Sequence, residues 1–275
     1  MATLCALLVS ASTAFSLTST TIDVPGATFT DTGGINARGQ IVGDFTDAGG
    51  TFHGYLLDKG SFTTFDVPGA TTTLGDALNN RGQIVGHYRD ASGTFHGYLL
   101  DKGTFTTIDV PGATFTAAFG INGGGQIVGE YDNAGGMGHG YLLDKGTLTT
   151  IDVPGATLTA AIGINDHGQI SGLYVDVSGT EHGFLLDEGG FTTIDVPGAT
   201  RTRAFGINDL GQIVGEYEDA GGTVHGYLLN KGTFTTIDVP GATLTIAIGI
   251  NARGQIVGDF VDAGGAVHGF LAEGF

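Results

Sequence analysis

The sequence predicts an all-β fold: a six-bladed β-propeller of four-stranded antiparallel units, closed by an N-terminal strand that completes the last blade. Three observations carry this prediction. Asp-Val-Pro-Gly returns at Asp23, Asp66, Asp109, Asp152, Asp195 and Asp238, a constant step of 43 residues with no insertion or deletion. Each period holds four short runs rich in Ile, Val, Thr, Phe, Tyr and Leu, bounded by Gly, Asn, Asp or Pro. The first period opens on a run of the type that the last period would need after its end.

A strict period of this length marks a repeat architecture, in which one unit cannot bury its faces alone. The His-Gly pairs (His53, His96, His139, His182, His225, His268) and the Gly-Gln pairs starting at Gly39 keep the same step. The units run over 18–60, 61–103, 104–146, 147–189, 190–232 and 233–275, one repeat domain over 18–275, and residues 1–17 fall outside it.

In unit five the runs are Phe191–Val196 (D), Ala204–Asn208 (A), Gln212–Tyr217 (B) and His225–Leu229 (C). Each has the usual length of a strand, and no window offers a competing helical period. Val196-Pro197-Gly198-Ala199 has the residues of a type II turn, with proline presetting φ and glycine accepting a positive φ. Asn208–Gly211 and Asn230–Gly232 read as tight hairpins with a left-handed glycine, and Glu218–Val224 as a longer one. Tight hairpins make the strands antiparallel and exclude a parallel β-helix. Small residues in A suit the inner position near an axis. Apolar residues at both parities in B and C suit a sheet buried on both faces. The N-terminal D strand, Ser19–Val24, can complete the blade whose C strand is His268–Leu271, and this removes open edges. A pair of β-trefoils is the alternative architecture.

The net charge of −18 argues against nucleic acid and anionic membranes as partners. The 41% hydrophobic content argues against disorder. The only cysteine, Cys5, lies in a short apolar stretch followed by small residues, which reads as a leader or remnant signal peptide over 1–17. The bland alternative is an N-terminal tail. The stretch is too short to span a bilayer.

The pattern G-I-N-x-x-G-Q-I-V-G-x-Y followed by H-G-Y-L-L-D-K-G resembles the HAF repeat family of extracellular repeat proteins, over residues 18–275. That resemblance implies a secreted or surface location and no particular activity. The loop Asp47–Phe52 is similar to part of the Asp-box hairpin of sialidase-like propellers, with Phe45 where the leading serine belongs. The Asp-box stabilises a hairpin and implies a propeller, not sialidase chemistry.

The periodic histidines are the first metal candidates, but equivalent positions on adjacent blades should lie about 15 Å apart, whereas zinc needs ligands at about 2 Å. A structural hydrogen bond to the loop aspartate is the expected role. Asn133, standing where other units have aspartate, keeps an acceptor for it. No run of acidic residues has calcium-loop spacing, so no metal or cofactor is expected. No Gly-x-Ser-x-Gly or recurring serine near histidine points to a nucleophile.

Function on a repeat scaffold should lie where units differ. The D–A and B–C connections share one face, and there Arg201, Arg203, Glu216 and Glu218 of unit five and His87 and Arg89 of unit two are the expected ligand-binding residues. The expectation is a non-enzymatic, secreted or cell-surface monomer, a binding or structural scaffold engaging a glycan or surface protein through that face. The alternative is an extracellular glycan hydrolase or lyase using paired carboxylates, Glu216 with Glu218 or Glu130 with Asp132.

Overall fold

The computed structural model describes residues 18–274; the leader reading of 1–17 lies outside the described residues. Six separate four-stranded antiparallel sheets form the blades. From the axis outward, the first blade is β2 (Phe29–Ile35), β3 (Ile41–Thr46), β4 (Phe52–Asp58) and β5 (Ser61–Phe65). The sixth is β22 (Leu244–Ile250), β23 (Ile256–Val261), β24 (Val267–Glu273) and, from the other end of the chain, β1 (Thr18–Ile22). Thr18 pairs with Glu273 and Ile22 with Gly269, so the expected closure is formed. Each inner strand packs against the inner strands of both neighbours, the first against the sixth included. One ring results, not two trefoils.

A ladder of asparagines repeats this closure at the A–B turns. Asn208 Nδ2 donates to the Asn251 carbonyl at 3.0 Å, and Asn251 Nδ2 donates to the Asn36 carbonyl at 3.0 Å, joining first blade to last.

The turns follow their residues. Ala27 N–H donates to Val24 O at 3.0 Å with Gly26 at φ 84°, the type II geometry. In the C–D hairpin Lys59 (φ 50°) is left-handed as well as Gly60 (φ 82°), which makes it a type I′ turn. The sequence reading assigned that conformation to glycine alone.

Strand A begins earlier than the sequence suggests: in the fifth blade it runs Arg201–Ile207. Thr202 Oγ1 accepts the Val196 N–H at 3.0 Å, which binds the turn to the strand start and draws the flanking residues into the sheet. Further along, the A–B ladder slips. Thr32 pairs with Gly43 and Gly34 with Val42, leaving Gly33 as a bulge without a partner. The bulged positions of the other blades include Asp76, Phe119, Ile162 and Ile248, and they line a central channel.

The core lies between blades. Val85 of the second blade packs with Ala118, Ile121, Ile127 and Tyr141 of the third. Where this valine position becomes Ser171, the buried hydroxyl donates to Phe205 O at 2.6 Å, so the serine is satisfied.

Candidate functional site

The periodic histidines occupy the outer part of each blade, and both ring nitrogens have partners. Nδ1 of His53 meets Asp66 of the Asp-Val-Pro-Gly turn at 2.9 Å, and Nε2 lies 3.5 Å from the loop aspartate Asp47. The sequence pointed to the loop aspartate only; the shorter contact is to the turn. His268 reaches across the chain ends to Asp23 at 2.8 Å. In the third blade Asn133 Nδ2 lies 2.9 Å from His139 Nε2, which explains how asparagine is accommodated there. Each B–C loop is tied by this residue, aspartate in five blades and Asn133 in the third: Asp47 Oδ1 accepts the N–H groups of Gly49 (2.8 Å) and Thr51 (2.9 Å).

These pairs set a pH optimum for stability. The hydrogen bond to Asp23 raises His268 above its ordinary value. His96 and His182 are also raised: burial opposes their charge, but the flanking aspartates outweigh it. A raised histidine contributes fully below its unfolded value near 6.5 and loses that contribution as pH climbs through the folded value. Asp90 and Asp176 are lowered to about 2, first by hydrogen bonds from Ser92 and Ser178. Their contribution is present above roughly pH 4 and fades as pH falls toward the folded value. The part of the urea midpoint that these pairs supply should therefore be greatest between about pH 4.5 and 6.5, and His268→Gln should lose less of its midpoint than the parent as pH rises beyond that window. A midpoint that climbs steadily from mild acid into alkali would contradict this account.

The structure brings Arg201, Arg203, Glu216 and Glu218 together. Arg201 and Arg203 lie opposite Glu218 and Glu216 in the A–B ladder of the fifth blade. Arg201 Nε donates to Glu218 Oε2 at 2.8 Å, and both Arg201 Nη1 (3.0 Å) and Arg203 Nη1 (3.1 Å) donate to Glu216 Oε1. Glu181, on the first position of strand C in the fourth blade (Glu181–Asp187), accepts from Arg203 Nη2 at 2.9 Å. Hydrogen bonding to Arg203, against the opposing effect of burial, holds the Glu181 carboxyl below its usual range. The sequence reading missed Glu181. Its signal was a charge at a position that is Phe52, Phe95, Gly138, Val224 and Val267 in the other units. Two guanidinium groups thus bridge three carboxylates across a blade junction, and Glu216 is only 4% exposed. Both guanidinium groups already have charge-assisted partners on either side of this junction.

His87 and Arg89 stand elsewhere, between the second and third blades. His87 Nδ1 binds Asp76 Oδ2 at 2.8 Å. Its ring lies 5.9 Å from Phe95 and 5.9 Å from Phe119, and Phe95 lies 5.8 Å from Phe115. The Arg89 guanidinium sits 5.7 Å over the Phe95 ring, with Nε donating to Gly93 O at 3.2 Å. Arg89 is exposed and the three phenylalanines are half-buried. Unlike Arg201 and Arg203, Arg89 makes no ion pair among the described residues, so it keeps donors for a bound molecule. The phenylalanines carried no signal in the sequence, because a strand aromatic reads as core.

Between the third and fourth blades Glu130 lies two residues from Asp132 on one strand face. Burial, then the Asp132 charge, raise Glu130 to about 7. Gly138 makes room for it, since an added Cβ would sit 2.6 Å from Glu130 Oε1. Among the described residues no group of three or more His, Cys, Asp or Glu has metal-binding placement, and no helix is long and apolar enough to cross a membrane.

No protein-family model matches the chain, so the likeness to HAF repeats remains one of motif, and no curated protein sequence matches it. Solved structures do resemble it. The Aleuria aurantia lectin bound to Fucα1-6GlcNAc is similar at TM-score 0.58 and 15% identity, over 89% of this chain and 93% of the lectin. Another structure of that lectin is described as a six-bladed β-propeller with a novel fucose recognition mode. TolB from Acinetobacter baumannii is similar at TM-score 0.60 and 13% identity, over 85% of this chain and 63% of TolB. The propeller domain of the Trilobed protease from Pyrococcus furiosus is similar at TM-score 0.52 and 11% identity, over 90% of this chain and 96% of that domain. That domain has an open velcro topology, whereas here β1 closes the ring. At these identities the likeness establishes the six-bladed propeller fold.

Proposed function

We propose that this chain is a non-enzymatic carbohydrate-binding propeller, acting outside the cell as a monomer, which holds a glycan between its second and third blades. The observation that carries the reading is the cluster of half-buried Phe95, Phe115 and Phe119 beside His87 and Arg89, which has no ion pair among the described residues, and the reading takes the face they border as the binding cleft. Apolar and aromatic walls with a few placed polar groups are the usual make-up of a small-ligand site. The C–H face of a sugar packs on an aromatic ring, and its hydroxyls accept from a guanidinium. The fucose-binding lectins of the same fold support the reading. Extracellular display rests on the HAF-like motif and the leader-like start.

A glycan array with purified protein should retain at least one glycan without turning it over. Arg89→Ala and Phe115→Ala should each weaken that binding at least tenfold, about 1.4 kcal/mol. Arg203→Ala should leave it intact while lowering the melting temperature. Retention of no glycan, or loss with Arg203→Ala but not with Arg89→Ala, would overturn the cleft assignment. The hydrolase reading keeps one supporting observation: Glu130, raised to about 7, lies beside a second carboxyl, Asp132, and glycosidases pair a raised acid with another carboxyl. Release of reducing sugar that Glu130→Gln abolishes would put that reading in its place.

A further inference from the structure

The central channel is a second space, which shares Phe119 with the cleft between blades and adjoins its His87 through Asp76. It encloses about 280 Å³, near the lower end of small-molecule pockets at roughly 300 Å³. Its wall is divided. Phe119, Ile162, Phe205 and Ile248 give an apolar side. At the equivalent bulge of the first blade Gly33 supplies no side chain, and Asp31, Asp44 and Asp76 line the same space.

The three carboxylates differ in what already holds them. Asp76 is bound by His87 at 2.8 Å. Asp31 neighbours the Asp259 carboxyl, whose Oδ1 takes the Thr32 N–H at 2.9 Å. Asp44 is only 8% exposed, yet its carboxylate has no hydrogen-bond or ion-pair partner among the described residues. A buried carboxylate without a partner is unfavourable, and a cation relieves that. Burial first, then the charges of Asp31 and Asp76, push Asp44 well above the ordinary carboxylate range.

We propose that the central channel binds an organic ammonium: a protonated amine bearing an apolar or aromatic group, with its N–H donors on Asp44 and Asp31 and its body against Phe119, Phe205 and Ile248. The divided wall selects this class. A divalent ion needs about six or more oxygens around it, and no group of three or more acidic or histidine side chains converges with that placement among the described residues. A neutral apolar molecule would leave Asp44 unpaired. An amine with an apolar body satisfies both walls, its charge attracted by Asp44 and by the ring faces of Phe119 and Phe205. The chain's net charge of −18 raises the local concentration of any cation.

Phenethylammonium is the probe, with 2-phenylethanol as its neutral counterpart, titrated calorimetrically into the full chain near neutral pH. One site per chain is expected for the amine, with the alcohol at least tenfold weaker. Asp44→Asn should weaken the amine at least tenfold and Phe205→Ala several-fold, in variants whose melting shows a folded ring. The proposal is overturned if amine and alcohol bind alike, if Asp44→Asn leaves the affinity unchanged, if the amine shows no binding at millimolar concentration, or if Ca²⁺ binds and the amine does not compete. Asp44 and Phe205 line none of the cleft between blades two and three, so this outcome is read independently of glycan binding.

Discussion

A Gly129→Ala chain should lose on the order of 3 kcal/mol or more of stability, enough to lower the melting temperature by roughly 10 °C. A Cβ at this position would lie 2.0 Å from the Ala117 carbonyl oxygen and 2.7 Å from Cε1 of Tyr141. Neither neighbour can retreat. Ala117 is backbone of the adjoining strand in the same sheet, paired on through Ala118, and Tyr141 is fully buried at the blade junction. Glycine holds this place in every unit, and the same close approach recurs at Gly43, Gly86, Gly172, Gly215 and Gly258. It follows from geometry: the A–B ladder slips beside this position to make the bulge, and the carbonyl turns into the space a side chain would take. Gly190→Ala is the matched control, because its Cβ would meet only an ordinary contact at 3.5 Å. Calorimetry on the two variants decides the matter, and equal melting temperatures would refute the packing account.

Deleting residues 18–26 should be at least as damaging, with a loss on the order of 5 kcal/mol from two buried side chains and several hydrogen bonds. β1 is short and three of its five residues are exposed, so its value lies in its place, not its size. Ile22, 5% exposed, packs with Ile35, Ile41 and Val257, at the junction of the first and sixth blades. Asp23 holds His268, and Val24 N–H donates to Thr30 Oγ1 at 3.1 Å. Without β1 the edge of β24 stands unpaired, a template for pairing between chains, so aggregation should accompany the lost stability. Ile22→Asp should produce a smaller loss through the same junction without shortening the chain. A deleted chain that melts with the parent, and stays monomeric by light scattering, would show that the ring does not depend on its closing strand.

Residues far apart in sequence assemble the chemistry, and this governs what was legible beforehand. The Asp-Val-Pro-Gly and Asn-x-x-Gly phrases located the turns because their signals are local: a fixed φ, a permitted positive φ, a carbonyl three residues back. The missing D strand at the end of the last unit foretold closure because a sheet edge must be covered. Arg201, Arg203, Glu216 and Glu218 stood out from the difference between units, and the structure places them together. That they spend their charges on each other and on Glu181 required knowing that strand A of one blade packs against strand C of the blade before it.

The amino-acid sequence by itself determined the number of units, their strand order and the way the ends meet, since periodicity, turn chemistry and alternation act over a few residues and repeat faithfully. The tertiary structure alone decided which of the unlike residues become neighbours. Thr32 meets Asp259 across 227 positions of chain, and Asp44 faces a channel whose opposite wall comes from four other blades. A bulge turns one residue of each inner strand toward the axis, and closing the ring sets those residues face to face; both are consequences of packing, which no local pattern encodes.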